Sequence, residues 1–332
     1  MSASSSGVTV RRATAADRPA NLAVARRSLG WDATDATERH FAWKHIENPF
    51  GPSPMWVAEV AGRIAGFRVF LRWEFVTDAG EVRRAVRAVD TATDPDFQGR
   101  GIFTTLTLGA LDELRGDTVD FVFNTPNEQS RPGYLKMGWA VVGHIPVEVR
   151  PTGPGGLVRI ARARTPADRG AVPTQAGRPA AEVLTDPALA EALLALTPRP
   201  RGLSTRRSPE YLAWRYGPAA LHYRLVSAPD SPEAGAVVFH LRLRGPALEA
   251  VVCEELVPAG DHNTRRRLLT TVARETRADY LLRLRAPGDR LPRQGFWPAP
   301  RVGPVLTARE ITTPPARTLA GWDLTMGDIE LF

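Results

Sequence analysis

The chain has 332 residues, 43% of them hydrophobic and 24% charged, a composition typical of globular proteins with one or two domains. No run approaches the ~20 consecutive apolar residues of a membrane span, and the N-terminus lacks the charged start and apolar stretch of a signal peptide. The single cysteine, Cys253, excludes an internal disulfide and favours a reducing compartment. We therefore expect a cytoplasmic protein without a membrane partner.

The net charge of +7 does not by itself indicate a nucleic-acid partner. Only Lys44 and Lys136 are lysines, so 43 − 2 = 41 of the basic residues are arginines, and these are spread along the chain among acidic residues. With the abundant Ala, Gly and Pro, this distribution indicates the codon bias of a GC-rich genome. It favours a local basic pocket for an anionic ligand over a nucleic-acid surface.

The first part of the chain predicts a strand, two helices and three antiparallel strands. Residues 8–14 alternate like a strand, and helical patterns follow at 15–30 and 35–47. Two β-branched and aromatic runs flank Ala61-Gly62, which predicts a hairpin, and another strand pattern covers residues 82–93.

The stretch DPDFQGRGIF, residues 94–103, places two glycines, a glutamine and an arginine between a strand and a helix. Glycine there lowers helix stability, so the stretch is either a simple turn or a cradle in which backbone N–H groups bind a phosphate. A helix over 103–116, a buried strand over 119–124, a further helix signal and one strand over 140–149 follow.

The second half of the sequence repeats the first after a segment rich in Pro, Gly and Arg. Trp43 and Trp214 occupy matching positions in two helices, and the strand–turn–strand pattern and the next helix also recur. The second copy has HNTRRR where the first has QGRG, so it lacks the glycines. A phosphate site is therefore expected only in the first copy.

This order of elements and two short motifs resemble the GNAT-type N-acetyltransferase superfamily. Its phosphate-loop pattern is Gln/Arg-x-x-Gly-x-Gly/Ala, and the chain has QGRGIF at 98–103, with Phe103 in the position of a small residue. The second signature is matched by Asn127, Tyr134, Lys136, Gly138 and Trp139. The resemblance covers about residues 8–148 directly and 182–312 as a decayed repeat.

The resemblance implies an α/β (α+β) fold of two tandem domains, each with a mixed, mostly antiparallel central sheet flanked by helices. The expected division is a catalytic acyl-CoA-binding domain at 1–150, a linker at 151–181 and a degenerate GNAT-like domain at 182–332. The second domain would support the fold, shape the substrate cleft or mediate association, so a homodimer remains open.

The resemblance also implies an acyl-coenzyme A (acyl-CoA) donor, such as acetyl-CoA, as co-substrate and no metal. The loop amides would hold the diphosphate, and the pantetheine arm would lie where the strand before the loop splays from the strand near Phe123 and Asn124. The residues expected to bind this co-substrate are Ala92, Thr93, Gln98, Gly99, Arg100, Gly101, Ile102, Phe103, Thr104 and Asn127. Asn127 has the alternative of capping its helix.

For catalysis, the resemblance implies that Tyr134 protonates the departing sulfur as general acid. An amine would attack the thioester directly in a ternary complex, and a backbone N–H near Thr93 would stabilise the oxyanion. Asp90, on the strand leading to the loop, is the candidate general base. Glu59, Glu74 and His45 are alternatives, as is catalysis without a dedicated base.

The acceptor is expected between residues 31–54 and 139–149, where acids could attract a cationic amine or form a solvated helix face. These acids are Asp32, Asp35, Glu38 and Glu47, and the neighbouring tryptophans are Trp31, Trp43, Trp56 and Trp139. The leading hypothesis is an N-acyltransferase acting on a primary amine of a small molecule or peptide. The alternatives are a non-catalytic coenzyme-binding protein and an acyl-transfer or decarboxylating enzyme that acts on a carrier-bound substrate.

Overall fold

The computed structural model describes residues 7–32, 34–162, 166–168, 170–198, 201–229, 231–285, 294–299 and 302–329. The chain forms two compact units. Unit 1 comprises Met1–Phe75, Val82–Gly143 and Val305–Arg317, and unit 2 comprises Val76–Glu81, His144–Pro304 and Thr318–Phe332. No helix in the described part of the chain is long and apolar enough to cross a membrane.

The described residues of the first half of the chain form seven strands and five α-helices. In order they are β1 (Val8–Arg12), α1 (Arg18–Leu29), α2 (Asp35–His45), β2 (Met55–Val60), β3 (Arg63–Val76), β4 (Val82–Thr93), α3 (Ile102–Gly116), β5 (Phe121–Asn124), α4 (Arg131–Lys136), β6 (Ala140–His144), β7 (Val147–Pro151) and α5 (Pro154–Arg162).

The second half continues with nine strands and five helices among its described residues. These are β8 (Arg178–Pro179), α6 (Ala180–Leu184), α7 (Pro187–Ala195), β9 (Leu203–Thr205), α8 (Pro209–Tyr216), β10 (Arg224–Ser227), β11 (Ala236–Arg244), β12 (Ala247–Leu256), α9 (His262–Thr276), β13 (Tyr280–Leu284), β14 (Trp297–Ala299), β15 (Val305–Glu310), β16 (Trp322–Asp323) and α10 (Met326–Ile329).

Local sequence signals set several boundaries of the first elements. Helix α1 ends at Gly30, which adopts the left-handed conformation (φ 69°), and Thr34 caps α2 by accepting the N–H of Thr37. Ala61 and Gly62 both have positive φ, so they form the tight turn of the β2–β3 hairpin. The predicted strand, two helices and three strands are thereby confirmed.

The sheet of unit 1 has the strand order β1-β2-β3-β4-β5-β15-β6. Strands β4 and β5 are parallel, and the other pairs described along β1–β2–β3 and β5–β15 are antiparallel. Helices α3 and α4 cover one face, where Leu106, Leu111 and Tyr134 join the core. Helix α1 covers a second cluster that includes Val24 and Phe67.

The main sheet of unit 2 has the order β8-β10-β11-β12-β13-β7-β14, again with one parallel pair, β12–β13. Its core contains Phe239, Leu268 and Leu281. The two orders correspond position by position, and α3 and α9 follow corresponding strands. The predicted α/β fold with mixed, mostly antiparallel sheets flanked by helices is confirmed.

Residues 140–149 were predicted as one strand, and this is wrong. They form β6 and β7, which lie in different sheets and are separated by Ile145-Pro146. A two-residue hairpin turn needs positive φ, which proline cannot adopt and a β-branched residue disfavours. The chain therefore cannot fold β7 back beside β6.

The compact units also differ from the contiguous division 1–150 and 182–332. Strand β15 joins the sheet of unit 1, where Thr307 pairs with Asn124, whereas β7 joins the sheet of unit 2. In each sheet, the second-to-last strand of the order given above therefore comes from the other half of the sequence.

The segment predicted as a linker, 151–181, is largely part of unit 2. Helix α5 lies in it, Arg159 pairs with Asp279, and the Val172 N–H donates to the carbonyl of Leu241. Gly156 lies so close to the Asp279 carbonyl that a Cβ there would stand 2.2 Å from the oxygen. Residues 163–165 and 169 of the segment lie outside the described residues.

Candidate functional site

The start of helix α3 presents backbone N–H groups without a side-chain cap. Gly99 and Gly101 have φ of 76° and 72°, and Gly101 is the N-cap residue. The first intrahelical bond described runs from the Thr105 N–H to the Gly101 carbonyl, at 3.0 Å. The amides of residues 102–104 precede that bond, so they have no intrahelical acceptor and can bind an anion.

Strand β4 separates from β5 before it reaches this loop. Their pairing ends at Arg87–Phe123, although β4 continues to Thr93. A cavity of about 340 Å³, which we call the loop cleft, lies beside the end of β4 and the start of α3. Its lining residues are Ser28, Leu29, Thr91, Ala92, Thr93, Phe97, Gln98, Gly99, Gly101, Ile102 and Phe103. Seven of the ten residues expected to bind the co-substrate are among them.

Arg100, Thr104 and Asn127 are the three expected residues that do not line the loop cleft. Arg100 is exposed, and its guanidinium lies 5.2 Å from the centre of the Phe97 ring. Thr104 is exposed in the first turn of α3. Asn127 accepts the Ser130 N–H at 2.9 Å, so it caps the turn that leads into α4.

Hydrogen bonds from two elements fix the end of β4. The Thr93 carbonyl accepts the Ser28 hydroxyl at 2.7 Å and lies 3.4 Å from Nε2 of Gln98, its second donor. Arg27, beside Ser28 on α1, pairs with Asp94 at 2.6 Å. Helix α1 therefore holds the strand end against the loop.

Phe103 turns away from the loop toward α4. Its ring packs edge-on against Tyr134, with centroids 5.4 Å apart, and a Cβ on Gly133 would stand 3.2 Å from its Cε1. The large residue that departs from the family motif is thus accommodated beside a glycine of α4, while Gly99 and Gly101 keep the conformation of the loop.

Tyr134 lies on the short helix α4 and is 5% exposed. Its ring contacts Phe103 and Trp139, and the guanidinium of Arg68 lies 5.2 Å from its centre. The C-terminal end of α4 is tied to β15, because Arg309 donates to the Met137 carbonyl. These contacts orient the phenol ring rigidly.

Asp90 occupies an irregular position in β4, with φ of 41°, a conformation that is rare for a residue other than glycine. Its Oδ2 lies 2.7 Å from Nζ of Lys44 and 2.8 Å from Nε2 of His45. Nδ1 of His45 lies 3.1 Å from the hydroxyl of Ser53. The carboxylate therefore faces the end of α2, while the next residue, Thr91, contacts Arg68.

The protonation states of this group follow from burial and charge. Burial alone would raise the pKa of Asp90, but the Lys44 ammonium and the His45 hydrogen bond hold it well below its usual range. Burial lowers the pKa of His45, and the carboxylate of Asp90 opposes this only in part. At neutral pH an ionised Asp90 thus accepts a hydrogen bond from a neutral His45.

Two of the acids proposed as base or as acceptor contacts form ion pairs, and three of the tryptophans on the expected acceptor side are buried. Glu59 pairs with Arg11 at 2.5 Å, and Glu38 lies 4.0 Å from Arg26. Trp56 is fully buried, and its fellow core residues Trp43 and Trp139 are 8% and 4% exposed. These rings belong to the core, which disfavours a stacking surface for the acceptor.

The corresponding place in unit 2 has lost the free helix N-terminus. Asp261 caps α9 by accepting the N–H of Thr264, so a carboxylate occupies the place where a phosphate would bind. A cavity of about 420 Å³ does lie there, but ion pairs fill much of its lining, such as Arg207 with Glu254 and Arg283 with Glu255. This arrangement does not fit an acyl-CoA diphosphate.

Lys44, Ser53 and Arg68 are site residues that the sequence motifs did not indicate. Lys44 and His45 end α2, and their contact with Asp90 depends on the positive φ of that residue, which no spacing reveals. Arg68 alternates with apolar residues in β3, a pattern typical of a solvent-facing side chain, yet it is fully buried.

Comparisons with known proteins agree with this fold. Residues 9–142 match the family model described as an acetyltransferase (GNAT) domain. No curated protein sequence matches the chain.

Three solved structures are similar to the chain over most of its length. A probable N-acyltransferase from Enterococcus faecalis V583 is 12% identical with a TM-score of 0.63, covering 92% of this chain and 73% of that chain. A GCN5-related N-acetyltransferase from Anabaena variabilis is 15% identical with a TM-score of 0.60, covering 92% and 73%. Eis1 from Mycobacterium abscessus is 18% identical with a TM-score of 0.56, covering 92% and 74%.

At these low identities, the similarity to solved structures supports the fold alone. The family model supports the assignment of residues 9–142. The glycine loop, the separated strands and the helix that carries Tyr134 all lie within residues 9–142. This segment of the chain is a GNAT-type acetyltransferase domain.

Proposed function

We propose that the protein transfers an acetyl or other short acyl group from acyl-CoA to the primary amine of a small molecule or peptide. The observation that carries the proposal is the uncapped start of α3, which follows two glycines and opens into the loop cleft. An anionic diphosphate fits such a helix start, because unpaired N–H groups and the helix dipole both favour negative charge.

The gap between β4 and β5 supports a place for the pantetheine arm. Beyond Arg87–Phe123 the edge of β4 is no longer paired with β5, and Ala92 and Thr93 line the loop cleft. Peptide-like amides of pantetheine can bond to such an edge as a strand would. The thioester would then lie farther along β4, toward Asp90 and Thr91.

Two side chains suit proton transfer in this arrangement. Tyr134 would donate its phenolic proton to the sulfur of coenzyme A as it leaves. Asp90 would attract the acceptor as an ammonium, which loses one proton to water before its lone pair attacks, and would accept the second proton that the nitrogen loses after attack. Its lowered pKa suits the first role better, because a weakly basic carboxylate stays ionised in the resting enzyme.

The test is calorimetric titration of the protein with coenzyme A and acetyl-CoA, using variants at two matched glycines. Gly101→Glu places a carboxylate at the start of α3, and Gly101→Gln imposes the same backbone strain without the charge. Gly260, just before α9, also has positive φ (82°) and free space around its Cα, so Gly260→Glu is the control in unit 2.

We expect the wild type and Gly260→Glu to bind equally well. Gly101→Glu should bind at least about 10-fold more weakly than Gly101→Gln, because like charges repel at close range. An amine screen with detection of the released thiol would follow. A wild-type protein that binds neither coenzyme A nor acetyl-CoA would refute the proposed function.

A further inference from the structure

Arg68 is a buried cation with an incomplete set of partners. It lies on β3 and is fully buried. Its Nη1 donates to the hydroxyl of Thr91, but neither Nε nor Nη2 has a hydrogen-bond partner, and no carboxylate in the described part of the chain pairs with it. An unpaired buried charge is unfavourable, so this position calls for an explanation.

Aromatic rings surround the guanidinium without satisfying its N–H groups. The ring centres of Phe70, Tyr134 and Phe103 lie 4.7, 5.2 and 5.6 Å from Cζ of Arg68. Cation–π contacts stabilise the charge, but they do not replace acceptors in the plane of the guanidinium. The box of rings therefore holds the side chain in one orientation with one edge unpaired.

The two unpartnered groups lie on the same edge of the guanidinium. Nε–H and one N–H of Nη2 point in parallel, which is the fork that binds both oxygens of a carboxylate. A carboxylate offers each of these donors its own oxygen, whereas a thiolate offers both of them one atom. The pattern thus favours a carboxylate.

Arg68 contacts two residues that line the loop cleft. Thr91, which accepts its hydrogen bond, and Phe103, which packs on it, both line that cleft. Arg68 also lies 5.2 Å from the ring centre of Tyr134, the residue that we propose donates a proton to the sulfur of coenzyme A. A group attached to the thioester would therefore lie on the side of the cleft formed by Thr91 and Phe103, the two lining residues that contact Arg68.

We propose that Arg68 forms a subsite for a carboxylate at the far end of the acyl group, so that the preferred donor is the coenzyme A thioester of a short dicarboxylic acid. This inference rests on the proposed function. The phosphates of coenzyme A are the other anionic groups of the donor, and the diphosphate is assigned to the start of α3. Binding of the phosphates is common to all the thioesters, so the effect of the acyl carboxylate can be separated by experiment.

The test compares malonyl-CoA with isovaleryl-CoA, whose acyl groups have the same number and branching of non-hydrogen atoms and differ in charge. Calorimetric binding to the wild type is measured first, with acetyl-CoA as reference. We expect malonyl-CoA to bind at least 10-fold more tightly than isovaleryl-CoA. This comparison needs no variant, so it holds even if a substitution at Arg68 prevents folding.

Variants then test whether Arg68 causes the preference for malonyl-CoA. Arg68→Met should abolish the preference for malonyl-CoA, and Arg68→Lys, which keeps the charge but not the fork, should retain only part of it. Arg72→Met removes a partly exposed arginine of the same strand and should keep the wild-type ratio.

Three outcomes overturn the inference. A wild type that binds acetyl-CoA but shows no preference for malonyl-CoA refutes the subsite and leaves the proposed function intact. Equal losses for all three thioesters in Arg68→Met would assign Arg68 to the diphosphate or to the core. Absence of binding to any thioester would refute the proposed function together with the subsite.

Discussion

Tyr134 and Asp90 lie on different elements, each beside a residue that lines the loop cleft, and they have different environments. Tyr134 is packed among aromatic rings on α4, whereas Asp90 is held by Lys44 and His45 at the end of α2. The surrounding rings fix the orientation of the phenol, and a carboxylate beside an ammonium stays ionised. These environments suit the two different roles that we propose.

Replacing Tyr134 with Phe tests its role as acid. The ring contacts with Phe103 and Trp139 remain, so only the hydroxyl is lost. We expect kcat to fall by about 10²–10⁴-fold, the usual effect of removing a general acid, with little change in acetyl-CoA affinity. Thiol release with the best amine of the screen gives kcat, and calorimetry gives the affinity. An unchanged kcat would exclude Tyr134 as the acid.

His45 makes stability depend on pH in a defined window. Its pKa is lowered in the folded protein by burial, so below about pH 6.5 the unfolded chain binds a proton that the folded protein does not. We expect the free energy of unfolding to fall by about 1 kcal/mol between pH 7.5 and 5.5. Asp90 does not contribute there, because its lowered pKa makes its contribution vanish only in more acidic solution.

Urea unfolding at the two pH values measures this effect, and His45→Gln is the matched variant. The glutamine cannot titrate, so the difference between the two pH values should shrink by about the same 1 kcal/mol. Equal pH dependence in the two proteins would show that the burial of His45 is not the cause.

At the scale of elements, β15 completes the sheet of unit 1. It lies between β5 and β6, and the Thr307 hydroxyl donates to Oδ1 of Asn124 at 2.7 Å. Leu306 is fully buried, and Arg309 is bonded to the end of α4. The strand therefore supports both β5 and the helix that carries Tyr134.

We expect a polypeptide of residues 7–145 to be unstable, because it leaves β5 and β6 without the strand between them. A peptide of residues 302–318 should raise its Tm in a concentration-dependent way, as a ligand of the folded state does. The same peptide with Thr307→Pro is the control, since proline disrupts strand pairing. Cooperative unfolding of the 7–145 polypeptide at an unshifted Tm with and without peptide would contradict this expectation.

For the whole molecule, the two sheets share one strand order, and we propose that they derive from one duplicated module. Only the first copy keeps the uncapped helix start, whereas Asp261 caps the helix in the second. The hydrogen bond between His45 and Asp90 also has a counterpart in unit 2, where the Tyr216 hydroxyl donates to Glu254 at 2.9 Å. The second copy thus keeps the framework but not the anion site.

The sequence by itself determined the order of elements from β1 to α4, the β2–β3 turn, the glycine loop before α3 and the place of Tyr134 after Asn127. These features depend on neighbouring residues: glycine permits positive φ, an asparagine caps a helix turn, and periodic apolar residues mark a buried face. Such signals involve residues that are close together in the sequence, so they can be recognised without knowledge of the fold.

Only the tertiary structure decided that β15 lies beside β5, that Asp90 meets Lys44 and His45, and that Arg68 is buried with a free edge. Each of these depends on residues that are far apart in the chain or on one unusual backbone angle. Strand pairing over long separations is set by how the whole core packs, and a single arginine in a strand can face water or the core with the same local pattern.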